Sequence, residues 1–192
     1  DHTPDEMPTM PLKGEFLMAM PTLEDPHFFK TVVCICEYTP SGALGVIINR
    51  RHTDLTAKII FKELGMDFLP EAADHPIYIG GPVNTGEVFV LHGPPFNWIG
   101  CLQINDWLAL SNTRDILEAI AAGHGPEQFL IVLGCSGWGI GQLDMEMQEN
   151  CWLTCPADKR IIFDIPEENR WAEGMKLIHI DPAFFPGTPG RA

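Results

Sequence analysis

The densest concentration of residues able to do chemistry is Gly134-Cys135-Ser136-Gly137-Trp138-Gly139-Ile140-Gly141-Gln142-Leu143-Asp144-Met145-Glu146. A glycine-rich turn between an apolar strand and a helix suits anions, because backbone N–H groups and the helix dipole converge there. The spacing fits neither phosphate-binding pattern. A P-loop needs Lys and Ser/Thr after Gly139, where Ile140 and Gly141 stand. A dinucleotide fingerprint needs glycine where Asp144 sits, and that carboxylate repels a pyrophosphate. Gly134-Cys135-Ser136 also begins a nucleophile elbow, G-x-S-x-G, but Trp138 occupies the closing position. The pattern selects no partner from His92, His124 and His179.

The polar residues that follow hold more interest. On a helix, Gln142 and Glu146 are i,i+4 neighbours and Glu149 lies three beyond, so one face is polar while Leu143 and Met147 can pack inward. Gln142, Asp144 and Glu146 can therefore border a pocket beside the glycine turn. A hydrolase using Asp144 or Glu146 as base is one reading of this cluster, since acid–base chemistry needs positioned carboxylates. Thiol chemistry at Cys135 is another. The six cysteines include Cys34 and Cys36 on one face of a strand, and Cys151 and Cys155 around Trp152-Leu153-Thr154. They contain no paired C-x2-C knuckle, so buried thiols in a reducing compartment are expected, with no metal and no cofactor.

The elements that must carry these residues are interleaved. An apolar run at 16–20 stops at Pro21, and Asp25-Pro26 opens a helical turn at 25–29. Residues 31–37 and 43–49 are rich in β-branched side chains and flank Pro40-Ser41-Gly42, which predicts a hairpin. Asp54 caps a predicted helix through Leu64, with Leu55, Ile59, Ile60 and Leu64 on one face and Gly65 as its stop. Strands follow at 77–79 and 87–91, divided by Gly80-Gly81-Pro82-Val83. A second helix opens at Asn112 and closes at Gly123. Residues 129–133 form a continuous apolar run, as in a central buried strand. A helix at 142–150, a strand at 160–163 and a helix from Asp164 to near Met175 complete the pattern. The order lacks strict βα alternation, so an α+β fold with a mixed sheet is expected.

Composition bounds the function. The 192 residues suit one domain, and 12 Lys+Arg against 26 Asp+Glu give a net charge of −14. That sign argues against a protein built to grip nucleic acid or an anionic membrane. No apolar run is long enough to span a bilayer, and residues 1–11 have neither the basic nor the apolar region of a secretory leader, so a cytoplasmic location is expected. Residues 1–11 read as a Pro-rich arm, 12–180 as the domain, and 181–192 as a Pro/Gly-rich tail.

Several blocks carry a family resemblance. They are Gly14-Glu15-Phe16-Leu17 with Ala19-Met20-Pro21; Gly42-Ala43-Leu44-Gly45-Val46-Ile47-Ile48-Asn49-Arg50; Gly80-Gly81-Pro82-Val83 with Leu91-His92; the run from Gly134 to Trp152; and Pro156-Ala157-Asp158 with Ile162-Phe163. In this order they resemble the signature blocks of the bacterial AlgH/YqgE family, over roughly residues 12–177. The resemblance implies a single α+β domain whose mixed, strongly bent sheet forms a partial barrel with helices packed outside. It places Asn49, Gly80, Gly81, Pro82, Trp138, Gly139, Gly141, Gln142, Glu146, Asn150 and Trp152 in shared motifs. Cys135, Ser136 and Asp144 depart from the usual residues; Asp144 keeps a carboxylate but shortens it by one methylene.

Members of this family often carry a transcriptional-regulator label without a recognisable DNA-binding module, and this chain shows no basic helix-turn-helix. The resemblance implies no reaction. The expectation is a non-catalytic binding or regulatory protein, monomeric or weakly oligomeric, acting through a protein or small-molecule partner. Its candidate groove comprises Asn49, Gly80, Gly81, Pro82, Trp138, Gly139, Gly141, Gln142, Asp144 and Glu146.

Overall fold

A computed structural model describes residues 11–20 and 28–184. Most of the expected arm, of the tail and of the helical turn at 25–29 lies outside the described residues. In chain order the elements are β1 (Glu15–Ala19), β2 (Val32–Thr39), β3 (Gly42–Ile47), β4 (Arg51–Thr56), α1 (Ala57–Glu63), β5 (Pro76–Ile79), β6 (Val83–His92), β7 (Cys101–Asn105), β8 (Leu108–Ser111), α2 (Arg114–Ala121), β9 (Phe129–Trp138), α3 (Gln142–Gln148), β10 (Trp152–Pro156), α4 (Lys159–Phe163) and α5 (Arg170–Leu177). Among the described residues, ten strands form one mixed sheet with spatial order β10-β1-β2-β3-β9-β6-β8-β7. β5 lies parallel to β9 and carries β4 on its other side. The sheet does not close.

Side-chain alternation along the strands explains the layers. Successive strand residues face opposite sides, and in β2 both sides are dry. Val32, Cys34 and Cys36 enter an interior core with Phe16 and Met18 of β1, Val46 of β3, and Leu130 and Val132 of β9. Val33 and Ile35 face outward, into a second core with Leu17, Ile47, Trp138, Leu143 and Trp152. A third core lies under α1 and α2, where Ile60, Phe61, Ile116 and Ile120 cover Ile77, Val90 and Ile131. The sheet thus bends around the first core and is covered outside by α1, α2 and α3. α4 and α5 differ: Ile161, Ile162, Trp171 and Met175 enter the interior core.

Two expected elements are corrected. The helix read from Asp54 begins at Ala57, with Thr56 at the N-cap position, because residues 51–56 pair with β5 as β4. Its buried face is Ala57, Ile60 and Phe61, leaving Ile59 and Leu64 exposed. The strand read at 160–163 is the helix α4, whose N-terminus is capped by Asp158 Oδ1 accepting from Ile161 N at 3.0 Å. β-branched Ile161 and Ile162 favour a strand by propensity, and the cap together with burial of both consecutive side chains in one core, which a helix allows and a strand does not, overrides it. β7, β8 and β10 are strands of four or five residues that were not read from sequence.

Candidate functional site

β9 organises the candidate region because its two halves have different neighbours. β5 runs parallel along one flank, pairing Ile77 to Ile131 and Ile79 to Leu133. β6 runs antiparallel along the other, pairing Val83 to Cys135 and Val88 to Leu133. The chain must therefore cross β9 between Ile79 and Val83, which is the task of Gly80-Gly81. A Cβ on Gly80 would stand 2.2 Å from the Gly134 carbonyl oxygen, and one on Gly81 would stand 2.3 Å from that of Cys135. Gly81 also holds φ +152, which side-chain-bearing residues rarely adopt. Gly80 N donates to Leu133 O at 2.7 Å, while Gly80 O accepts from Ile47 N at 2.9 Å and from Ser136 Oγ at 3.0 Å. Pro82 is exposed just beyond the crossing.

The expected glycine-rich loop is shorter than read. Residues 134–138 continue β9, and 136–138 pair with β3, Ser136 opposite Gly45 and Trp138 opposite Ala43. Only Gly139-Ile140-Gly141 forms the turn into α3. There Gly141 adopts φ +71 at the N-cap position, and Gln142 Oε1 accepts from Gly139 N at 3.0 Å, closing the corner.

Glu146 braces the same corner from behind. Its Oε1 accepts from the indole Nε1 of Trp152 at 3.1 Å and of Trp138 at 3.3 Å. The two indoles meet edge to face at 6.0 Å, and Phe28 packs against both. Asn49 acts similarly at the far end of the hairpin: Oδ1 accepts from Val32 N and Nδ2 donates to Lys30 O, each at 2.9 Å. Asn49, Gly80, Gln142 and Glu146 therefore all hold backbone or indole groups in place, and Gly81 lets the two backbones pass.

A cleft of about 510 Å³ opens where the β2–β3 turn faces the β9–α3 corner. From the hairpin it is lined by Tyr38, Thr39 and Pro40, and from the corner by Gly139, Gly141 and Asp144. The Tyr38 hydroxyl donates to Asp144 Oδ1 at 2.5 Å, bridging the two walls. A second hollow of about 410 Å³ shares Thr39, Gly42 and Ala43 with the first and adds Glu37, Leu44 and Trp138. Of the expected groove residues, Gly139, Gly141 and Asp144 meet at the cleft and Trp138 at the hollow beside it. Asn49, Gly80, Gly81, Pro82, Gln142 and Glu146 line neither. Sequence reading missed Tyr38, Thr39 and Ala43, whose only signal was the Pro40-Ser41-Gly42 turn, taken as a connection.

The other groups weighed for chemistry lie inside. Ser136 is fully buried and spends its hydroxyl on Gly80 O. Cys135 is 1% exposed, and burial, with Glu87 adding repulsion, pushes its thiol pKa up, away from the thiolate a nucleophile needs. Cys155 is pushed up to about 11 by burial, then by Glu15 and Asp158. Buried His92 is held between Gly93 O and Ser111 Oγ, each at 2.7 Å. The carbonyl can only accept, so Nδ1 carries the proton and Nε2 accepts from Ser111. Burial lowers the pKa of His92, which favours this neutral form. Among the described residues, no three His, Cys, Asp or Glu side chains are grouped as metal ligands would be. No described helix is long and apolar enough to cross a membrane.

Comparison with known proteins agrees with this architecture. The solution structure of the AlgH protein from Pseudomonas aeruginosa superposes with a TM-score of 0.78 at 39% identity, covering 99% of this chain and 100% of that one. A crystal structure of protein DIP2367 from Corynebacterium diphtheriae, 22% identical, shares the fold with a TM-score of 0.70 over 88% of each chain. A UPF0301 protein of Desulforapulum autotrophicum is 54% identical over 181 residues, covering 94% of this chain and 96% of its own. One from Thioalkalivibrio sulfidiphilus is 42% identical over 179 residues, covering 93% of this chain and 96% of its own. A family model described as AlgH-like matches residues 16–183. The chain belongs to the AlgH-like family.

Proposed function

We propose that this protein is a non-catalytic binding or regulatory protein that engages a protein or small-molecule partner in the cleft between the β2–β3 turn and the β9–α3 corner. The observation that carries this reading is the division of labour among the motif residues. Of the groups weighed for chemistry, Ser136, Cys135, Gln142 and Glu146 are committed to internal bonds or buried, and Asp144, the one carboxylate lining the cleft, accepts from Tyr38. What remains at the surface is a shaped cleft within the usual size range of ligand sites. The net charge of −14 directs the proposal away from direct DNA contact and toward regulation through a partner.

A thermal-shift screen of a small-molecule fragment library tests it, because a ligand bound to the native state alone raises the melting temperature. Thr39 is exposed and lines both hollows, so Thr39→Trp should obstruct them while leaving the cores intact. The expected result is a set of compounds that stabilise the wild type and not the variant. A library in which every stabilising compound acts equally on both would contradict the proposal.

A further inference from the structure

The cleft has a sign as well as a shape. Apart from Pro11, the walls of the two hollows come from residues 37–44 and 138–144, and no Lys, Arg or His lines either one. Each hollow presents one carboxylate, Asp144 in the larger and Glu37 in the smaller. The Tyr38 hydroxyl fixes Asp144 through one oxygen, and an ionised carboxylate can accept more hydrogen bonds than that one. Glu146 and Glu149 on or beside α3 add to the same negative field. Two apolar side chains of the same corner are held out in solvent, although neither lines a hollow: Ile140, 82% exposed, in the turn between Gly139 and Gly141, and Met145, 59% exposed, which follows Asp144 in the chain. Methionine adapts its shape to a partner at low cost.

We infer that the occupant is a cationic stretch of a partner protein, carrying Lys or Arg near an apolar side chain; this rests on the reading of the cleft as a binding site. The residues shared by the two hollows, Thr39, Gly42 and Ala43, make the hairpin turn a ridge between them. A single amine satisfies one carboxylate, whereas a chain crossing the ridge can present a cation to each. Its apolar side chain then covers Ile140 and Met145. A nucleic acid or a phosphorylated segment would bring anions against Asp144 and Glu37, so the same arrangement excludes them electrostatically.

The test is selection of phage-displayed random dodecapeptides on the 192-residue chain, with Thr39→Trp protein as counter-selection. The enriched peptides are expected to carry at least two Lys or Arg flanking a Met, Leu or aromatic residue. Their synthetic copies should bind the double variant Glu37→Gln/Asp144→Asn about 10-fold more weakly or worse, with affinity falling as salt rises. Asp144→Asn keeps an acceptor for Tyr38, so the corner should stand. Scrambled peptides of equal charge should bind about 10-fold more weakly than the selected order, since bulk attraction to an acidic protein ignores sequence. Equal affinity for the scrambled peptides would overturn the inference. Cleft-dependent peptides that are neutral or acidic would overturn it too, while leaving the cleft as a binding site. Absence of any peptide sensitive to Thr39→Trp would overturn it as well; fragments that stabilise the wild type and not that variant would still leave the cleft as a binding site, and their absence too would overturn both.

Discussion

Gly81→Ala is expected to destabilise the protein by more than about 3 kcal/mol, or to prevent folding altogether, because two backbones cross where the new methyl would stand. Ordinary overpacking is relieved when a flexible side chain swings away. Here the added Cβ would lie 2.3 Å from the carbonyl oxygen of Cys135, with Ser136 Oγ at 2.4 Å, so β9 itself would have to move. The residue would also carry the cost of φ +152. Nothing nearby can absorb that displacement, since β9 pairs with β3, β5 and β6. Gly86 supplies the control: it lies in the exposed part of β6, and a Cβ there meets nothing within 4 Å. Gly86→Ala should change stability by no more than about 0.5 kcal/mol. Urea denaturation followed by tryptophan fluorescence would report both. A Gly81→Ala midpoint close to that of Gly86→Ala would remove the crossover as the reason for the glycine pair.

Glu146→Ala should cost about 2–3 kcal/mol, because it leaves two indole N–H groups without their acceptor in a dry cluster. Trp138 is 6% exposed and Trp152 2%, so water cannot readily replace the carboxylate. Glu146→Gln keeps an acceptor oxygen of nearly the same reach and should cost only about 1 kcal/mol, the difference between a charged and a neutral acceptor. The ordering of the two variants carries the argument. If Glu146 served as a catalytic base, alanine and glutamine would abolish a reaction equally and stability would rank them weakly. A Glu146→Gln loss as large as that of Glu146→Ala would contradict the brace.

These two residues show what the sequence made legible. The hairpin at β2–β3, the central β9, the helix α2 and the mixed α+β architecture all followed from β-branched runs, turn residues and glycine stops. Gly139, Gly141 and Asp144 were found because glycine and carboxylate cluster visibly at the start of α3. Gly80 and Gly81 were read as part of the same groove because a glycine pair framing a ligand and a glycine pair letting two backbones cross look alike in one dimension. Tyr38 escaped for the opposite reason. Its partner Asp144 lies 106 residues away, and only the β3–β9 pairing brings the two together. Glu146 read as a carboxylate bordering a pocket from the polar face of a helix. The two tryptophans that claim it lie eight residues before it and six after, and no helical periodicity predicts that encounter.

On the proposed function, Asn49, the Gly80-Gly81 crossover and the Glu146 brace are scaffold, and binding happens at the β2–β3 turn and the β9–α3 corner. The most direct measurement is the amide 15N–1H spectrum of the labelled protein, free and saturated with the strongest stabilising fragment. The largest shifts should fall on Tyr38, Thr39, Gly42, Ala43, Gly139, Gly141 and Asp144, with Asn49, Gly80 and Gly81 unmoved. Largest shifts at Asn49 or across Gly80 and Gly81, with the turn and the corner unmoved, would contradict it.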